Sequence, residues 1–151
     1  MIQCHSTSDS ETLALGRRLS GLLQAGDVVL LEGSLGCGKT RFVAGVAEGL
    51  GVDRRVTSPS FVIVQEYDGF IPIVHADVYR LGSTGEFADL QLPDLAREGV
   101  LLIEWGDAVE QSVPSDHLVV RFEITGESER TITFIPRGSW GNRSLGDVVA
   151  A

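Results

Sequence analysis

The octapeptide Gly33-Ser34-Leu35-Gly36-Cys37-Gly38-Lys39-Thr40 constrains this chain more than any other stretch. It directly follows Val28-Val29-Leu30-Leu31, an apolar run without alternation. It directly precedes a segment in which Phe42, Val43, Val46, Ala47 and Leu50 recur at helical spacing. Such a run reads as a strand buried on both faces, the usual situation of a parallel strand covered by helices. A strand, then Gly33-x-x-x-x-Gly38-Lys39-Thr40, then a helix form the setting of a phosphate loop. Glycines let backbone N–H groups wrap an anion, and the helix amino terminus adds a favourable dipole. Lys39 supplies a point charge to the terminal phosphates of a nucleotide, and the Thr40 hydroxyl can reach Mg²⁺. Cys37 is read as a small filler, with a low-pKa thiol beside the lysine as the alternative.

The remaining pattern builds an α/β domain around this loop. Ser8-Asp9-Ser10-Glu11 fits a capping box, and Leu15, Leu19, Leu22 and Leu23 make one helical face that ends near Gly26. Residues 56–67 look extended but are interrupted by Pro59. Asp68-Gly69 is a hairpin turn signal, with residues 71–78 as the return strand. A second capping box at Ser83-Thr84-Gly85-Glu86 opens a short helix to about Leu92, and Pro93 begins another turn. Residues 100–103 form a second buried run, with a helical turn at 107–112. Residues 118–124 and 130–135 form a closing hairpin around Gly126. After Pro136 the pattern is weak, with a short helix at 145–150. The expected fold is a three-layer P-loop NTPase-like α/β domain. Its central sheet is mostly parallel, with antiparallel hairpin strands at 61–78 and 118–135. Residues 1–151 are expected to form a single P-loop domain, with 137–151 as a weakly patterned tail.

Composition narrows the class. The chain has 151 residues, 43% of them hydrophobic, so it can bury a core and is not expected to be disordered. Lys and Arg total 12 against 21 Asp and Glu, a net charge of −9 with a pI near 4.7. A chain this acidic is not expected to bind DNA, or RNA on its own, because phosphate neutralisation needs a concentrated basic face. The apolar runs are too short to span a membrane, and the first residues do not read as a signal peptide. Cys4 and Cys37 are too few for a disulfide framework, so the cytoplasm is the expected location.

A phosphate loop needs a second carboxylate on the metal side, usually at the carboxyl end of an apolar strand. Two residues qualify. Glu104 ends the run 100–103, at the sheet edge where open α/β folds bind ligands. Asp77 lies in His75-Ala76-Asp77-Val78-Tyr79-Arg80 after Ile73-Val74. The His75-x-Asp77 pair lacks a further ligand at a recognised spacing, so a transition-metal site is not expected.

Four motifs occur in order: Gly33–Thr40, Thr57-Ser58-Pro59-Ser60-Phe61, His75-x-Asp77-x-Tyr79-Arg80 and Ile103-Glu104-Trp105. In this order and size the chain resembles the TsaE family, also called YjeE, the bacterial ATPases of tRNA threonylcarbamoyladenosine biosynthesis. The resemblance implies ATP and Mg²⁺ as cofactors, held by the loop with Lys39 and Thr40, and Glu104 facing the metal. It implies Asp77 as a catalytic or water-positioning carboxylate beside the γ-phosphate. Thr57 and Ser58 would belong to a switch-like segment, Trp105 would flank the site, and Asp9 to Thr12 would line the base pocket. The implied role is ATP hydrolysis supporting a TsaB–TsaD complex that modifies adenosine 37 of tRNA, with tRNA met only through that complex. The chain departs from the family pattern at Ser34, where aspartate is usual, at Cys37, where alanine is usual, and at Asp107 in place of glutamate.

Other features carry expectations of their own. Between Thr84 and Glu110 lie seven acids and one base, Arg97. This is either a solubilising face or a patch complementary to a basic partner. Tyr79 and Arg80 either stack on a partner or anchor a strand end. Two competing functions are a small-molecule P-loop kinase and a nucleotide-gated binding module with negligible turnover. The 84–99 stretch, with one arginine among many acids, suits a kinase lid poorly.

Overall fold

The strands assemble in the order β1-β7-β6-β2-β5-β4-β3 into one seven-stranded sheet. They are β1 (Ile2–Ser6), β2 (Val28–Glu32), β3 (Val64–Tyr67), β4 (Ile73–Asp77), β5 (Val100–Glu104), β6 (His117–Ile124) and β7 (Arg130–Arg137). The computed structural model describes residues 1–34, 36–57, 64–78, 88 and 90–149. The central strands β6, β2, β5 and β4 are mutually parallel, while β3, β7 and β1 each join antiparallel. The parallel centre and the two antiparallel hairpins are as expected, and β1 adds a further edge strand on β7.

The unbroken apolar runs are explained by burial on both faces. Val29, Leu31, Val100 and Leu102 point into one core with α1 (Asp9–Ser20) and α2 (Lys39–Gly49). Val28, Leu30, Leu101 and Ile103 point into the other. Among the described residues that face packs against α3 (Leu92–Leu95) and the 3₁₀ turn Gly106–Ser112, which contributes Val109. Helices α1 and α2 lie against each other at Gly16 and Gly45. A Cβ on Gly16 would meet the Phe42 carbonyl, and one on Gly45 the Leu13 carbonyl. Phe42 then packs edge-on against Phe122, with ring centroids 5.5 Å apart.

The amino end of α1 forms as its sequence predicts. Ser8 caps it, its Oγ accepting from the Glu11 N–H at 3.1 Å. The Glu11 carboxylate reaches one residue further back than a capping box requires. It accepts from the Thr7 N–H and hydroxyl, which holds its carboxyl below the usual range.

The ends of the chain differ most from expectation. β1 was not anticipated: Ile2 and Cys4 are only half-buried, and the strand exists through its pairing with β7. The weakly patterned tail is firmly packed. A 3₁₀ turn (Gly138–Asn142) buries Trp140, and α4 (Leu145–Val149) buries Leu145 and Val148 beside α1. Arg143 makes a two-pronged ion pair with Asp27 at 2.6 and 2.8 Å, and its guanidinium lies over the Trp140 ring. The expected extended stretch 56–67 is a strand only over Val64–Tyr67, and residues 58–63 lie outside those described. The expected helix from Ser83 falls largely outside them as well. No helix among the described residues is long and apolar enough to cross a membrane.

Candidate functional site

Strand β2 delivers the glycine-rich loop to the carboxyl edge of the sheet, and α2 begins at Lys39. Gly38 precedes that helix at φ 105°, a left-handed conformation that favours glycine. Its backbone and those of Gly36 and Cys37 line a hollow of about 820 Å³, together with Asp9, Lys39, Thr40, Thr57, Glu104 and Trp105. Cys37 is buried, and that burial pushes its thiol up in pKa against the opposing charge of Lys39. A buried thiol in this position fits the filler reading.

Parallel pairing sets the acids beside the loop. Asp77 and Glu104 are register partners at the ends of β4 and β5, and Leu31 of β2 is the partner of Glu104 on its other side. Because strand side chains alternate, His75, Asp77 and Glu104 all face the α2 side, as Ile73 and Leu102 do. The Thr40 hydroxyl donates to Glu104 Oε2 at 3.1 Å. The same oxygen lies 2.6 Å from His75 Nε2, and both His75 and Glu104 are buried. Among the described residues Asp77 does not line the hollow. It stands behind Glu104 at the sheet edge and is 7% exposed.

Lys39 donates to the Gly33 carbonyl at 2.7 Å, and its ammonium sits 3.6 Å from the centroid of the Trp105 ring. Trp105 achieves this at φ 65°, an outlying conformation for a bulky residue, immediately after β5. At the other end of the hollow the Thr57 N–H points to the Tyr67 hydroxyl at 3.4 Å, and Tyr67 in turn bonds Gln65.

A smaller hollow of about 360 Å³ adjoins the loop on its far side, between the start of α1 and the β6–β7 turn. Asp9 and Thr12 line it, as do Cys37, Gly38, Glu127, Ser128 and Arg130. Thr12 is fixed there by a 2.7 Å hydrogen bond to Ser6. Arg130 donates to the carbonyls of Gly36 and Cys37 and to those of Gly126, Glu127 and Glu129, tying the loop to the turn.

The structure thus gathers Gly36, Cys37, Gly38, Lys39, Thr40, Glu104 and Trp105 around one hollow, with Asp9 and Thr57 on its walls, while Thr12 lines the smaller hollow. Gly33 meets the site through its carbonyl on Lys39, and Ser34 lines neither hollow. Leu35, Ser58, Tyr79 and Arg80 lie outside the described residues. Sequence reasoning missed His75 as the partner of Glu104 and Arg130 as the tie on the loop. The Thr40 hydroxyl and the Glu104 carboxylate are hard oxygen donors, a pair that suits Mg²⁺ bound together with phosphate oxygens.

Comparison with known proteins points one way. The family model for threonylcarbamoyl adenosine biosynthesis protein TsaE matches residues 6–132. A Bacillus subtilis protein named tRNA threonylcarbamoyladenosine biosynthesis protein TsaE is 40% identical over 140 residues, covering 91% of this chain and 87% of that relative. A Streptomyces coelicolor protein of the same name is 46% identical over 114 residues, covering 72% of this chain and 76% of its own. The crystal structure of Bacillus subtilis YdiB superimposes with a TM-score of 0.79 at 34% identity, covering 99% of this chain and 93% of that one.

Proposed function

The chain belongs to the TsaE family, and from that premise we propose that it is an ATP-binding, Mg²⁺-dependent ATPase serving tRNA threonylcarbamoyladenosine biosynthesis. The observation that carries the reading is the Thr40 hydroxyl facing the Glu104 carboxylate across β2 and β5, with Lys39 one residue away. We read this pair as the metal-side half of a nucleoside triphosphate site. In this reading the loop 33–40 cradles the phosphates, and the Lys39 ammonium leaves the Gly33 carbonyl to meet them. Thr40 and Glu104 hold Mg²⁺, which when bound offsets charge on the β- and γ-phosphates. Asp77, at the strand end beside Glu104, orients the attacking water as a general base would. Asp9 and Thr12 line the base pocket, and Trp105 flanks the phosphates. Ser58, Tyr79 and Arg80 belong to the switch and partner surface.

Hydrolysis in this scheme relies on positioning and charge stabilisation, without a covalent intermediate. The ATPase acts in the cytoplasm with a TsaB–TsaD-like complex and meets tRNA only through it. The test is phosphate release from ATP without an added acceptor, with and without TsaB–TsaD and tRNA. Stimulation by the complex, and its loss in Lys39→Ala, are the expected results. Release that requires a small-molecule acceptor would replace this reading with a kinase.

A further inference from the structure

We propose that His75 is a positioning residue for the Mg²⁺-side carboxylate: its Nε2–H fixes Glu104 in the orientation that lets the other carboxylate oxygen serve the metal. The inference rests on the nucleotide-site reading above and adds a residue to it.

Three observations carry it. His75 is fully buried, on the same face of the sheet as Glu104 and Asp77, and its Nε2 is 2.6 Å from Glu104 Oε2. That oxygen also accepts from Thr40 at 3.1 Å, so two donors converge on Oε2 and leave Oε1, 3.5 Å from the Thr40 hydroxyl, as the more weakly bound oxygen. Finally, His75 Nδ1 is buried with no hydrogen-bond partner among the described residues. This last point assigns the proton. A bare ring nitrogen is an unused acceptor, which buried sites tolerate better than an orphaned N–H. The proton therefore sits on Nε2, and the imidazole donates while Glu104 accepts as a carboxylate.

A neutral donor buried behind a metal-facing carboxylate fixes that carboxylate's rotamer. Outer-shell partners of this kind typically carry about 10–100-fold in metal affinity. The arrangement also divides labour along β4. Asp77, two residues on, reaches the sheet edge, while His75 stays in the core beside Leu102.

The test compares the affinity of a non-hydrolysable ATP analogue in EDTA and in Mg²⁺ for the wild type, His75→Leu and His75→Gln. Glutamine places an amide N–H close to the position of Nε2. His75→Leu is expected to keep the EDTA affinity within about twofold and to lose about tenfold or more of the tightening brought by Mg²⁺. His75→Gln is expected to restore most of it. An unchanged Mg²⁺ gain in His75→Leu, equal losses in both buffers, or no rescue by glutamine would overturn the proposal. ¹⁵N spectra of the wild type give a second reading that needs no variant to fold. A protonated Nε2 and a bare Nδ1 support the proposal, and the reverse pattern overturns it. A wild type that binds no analogue in either buffer overturns the nucleotide-site reading itself, and this inference with it.

Discussion

Asp77 and Glu104 stand side by side as register partners at the carboxyl ends of two parallel strands, both buried and both on the face that carries the loop. Like charges placed this close raise each other's cost unless a cation joins them. Among the described residues Thr40 and His75 already meet the Glu104 carboxylate, and a divalent ion bound there would offset the charge further.

From that pairing follows a separation of roles. Asp77→Asn is expected to lower ATP turnover by about 100-fold or more while leaving the affinity of an ATP analogue within about threefold. Glu104→Gln is expected to weaken the Mg²⁺-dependent part of binding itself. Isothermal calorimetry with parallel phosphate-release assays separates the two, and identical behaviour of the variants would contradict the assignment.

Trp105 should report the loop's occupancy. Its ring carries the Lys39 ammonium at 3.6 Å, and nucleotide phosphates compete for that charge. Trp140, the second tryptophan, is buried under Arg143. In a Trp140→Phe background, addition of an ATP analogue is expected to change the Trp105 emission. Adding Lys39→Met should start the signal at the shifted value and leave it flat.

Arg143→Ala should destabilise the fold without touching the nucleotide. It removes a largely buried two-pronged ion pair and leaves Asp27, 8% exposed, without that partner. Breaking such a pair costs about 2 kcal/mol or more, which for a domain of this size lowers Tm by about 4–8 °C. Differential scanning calorimetry measures it, and analogue affinity at 20 °C should be unchanged.

Glu110 gives the fold part of its acid sensitivity. The hydrogen bond from His117, then the hydrogen bond and charge of Arg137, hold its carboxyl below the ordinary 4.5. A carboxylate favoured in the folded state contributes its stability above the unfolded value and loses it as pH falls through the folded one. Glu110→Gln is therefore expected to be less stable than the wild type at pH 7. The gap in urea midpoints should close as pH falls below 4.5. A gap that stays constant with pH would show that the lost term is packing.

The strand–loop–helix around Lys39 was legible because it leaves three independent marks: an apolar run, fixed glycines and a helical period. Glu104 was legible because it ends a second such run. His75 was not. A lone histidine in an apolar strand has the same pattern whether it is core or partner to an acid, and the contact joins residues 29 positions apart. β1 was missed because its inward residues, Ile2, Cys4 and Ser6, include a polar serine and give too little apolar alternation to distinguish five residues from coil. The short helix expected at 145–150 is found at Leu145–Val149, but the packing of the tail was not legible, because its anchors, Trp140, Arg143 and Leu145, have no shared period and only meet their partners through the fold.

The pairing of Ser6 with Arg130 joins the first strand to the arginine that holds the loop carbonyls, while Ser6 itself holds Thr12. Both sides of the smaller hollow are thus aligned by one ladder drawn from opposite ends of the chain. A slip of that ladder by a single residue would swing Ser6 away from Thr12 and Arg130 away from the loop. Trimming or tagging the residues of β1 is in this protein an alteration of the hollow beside the loop, made from a distance.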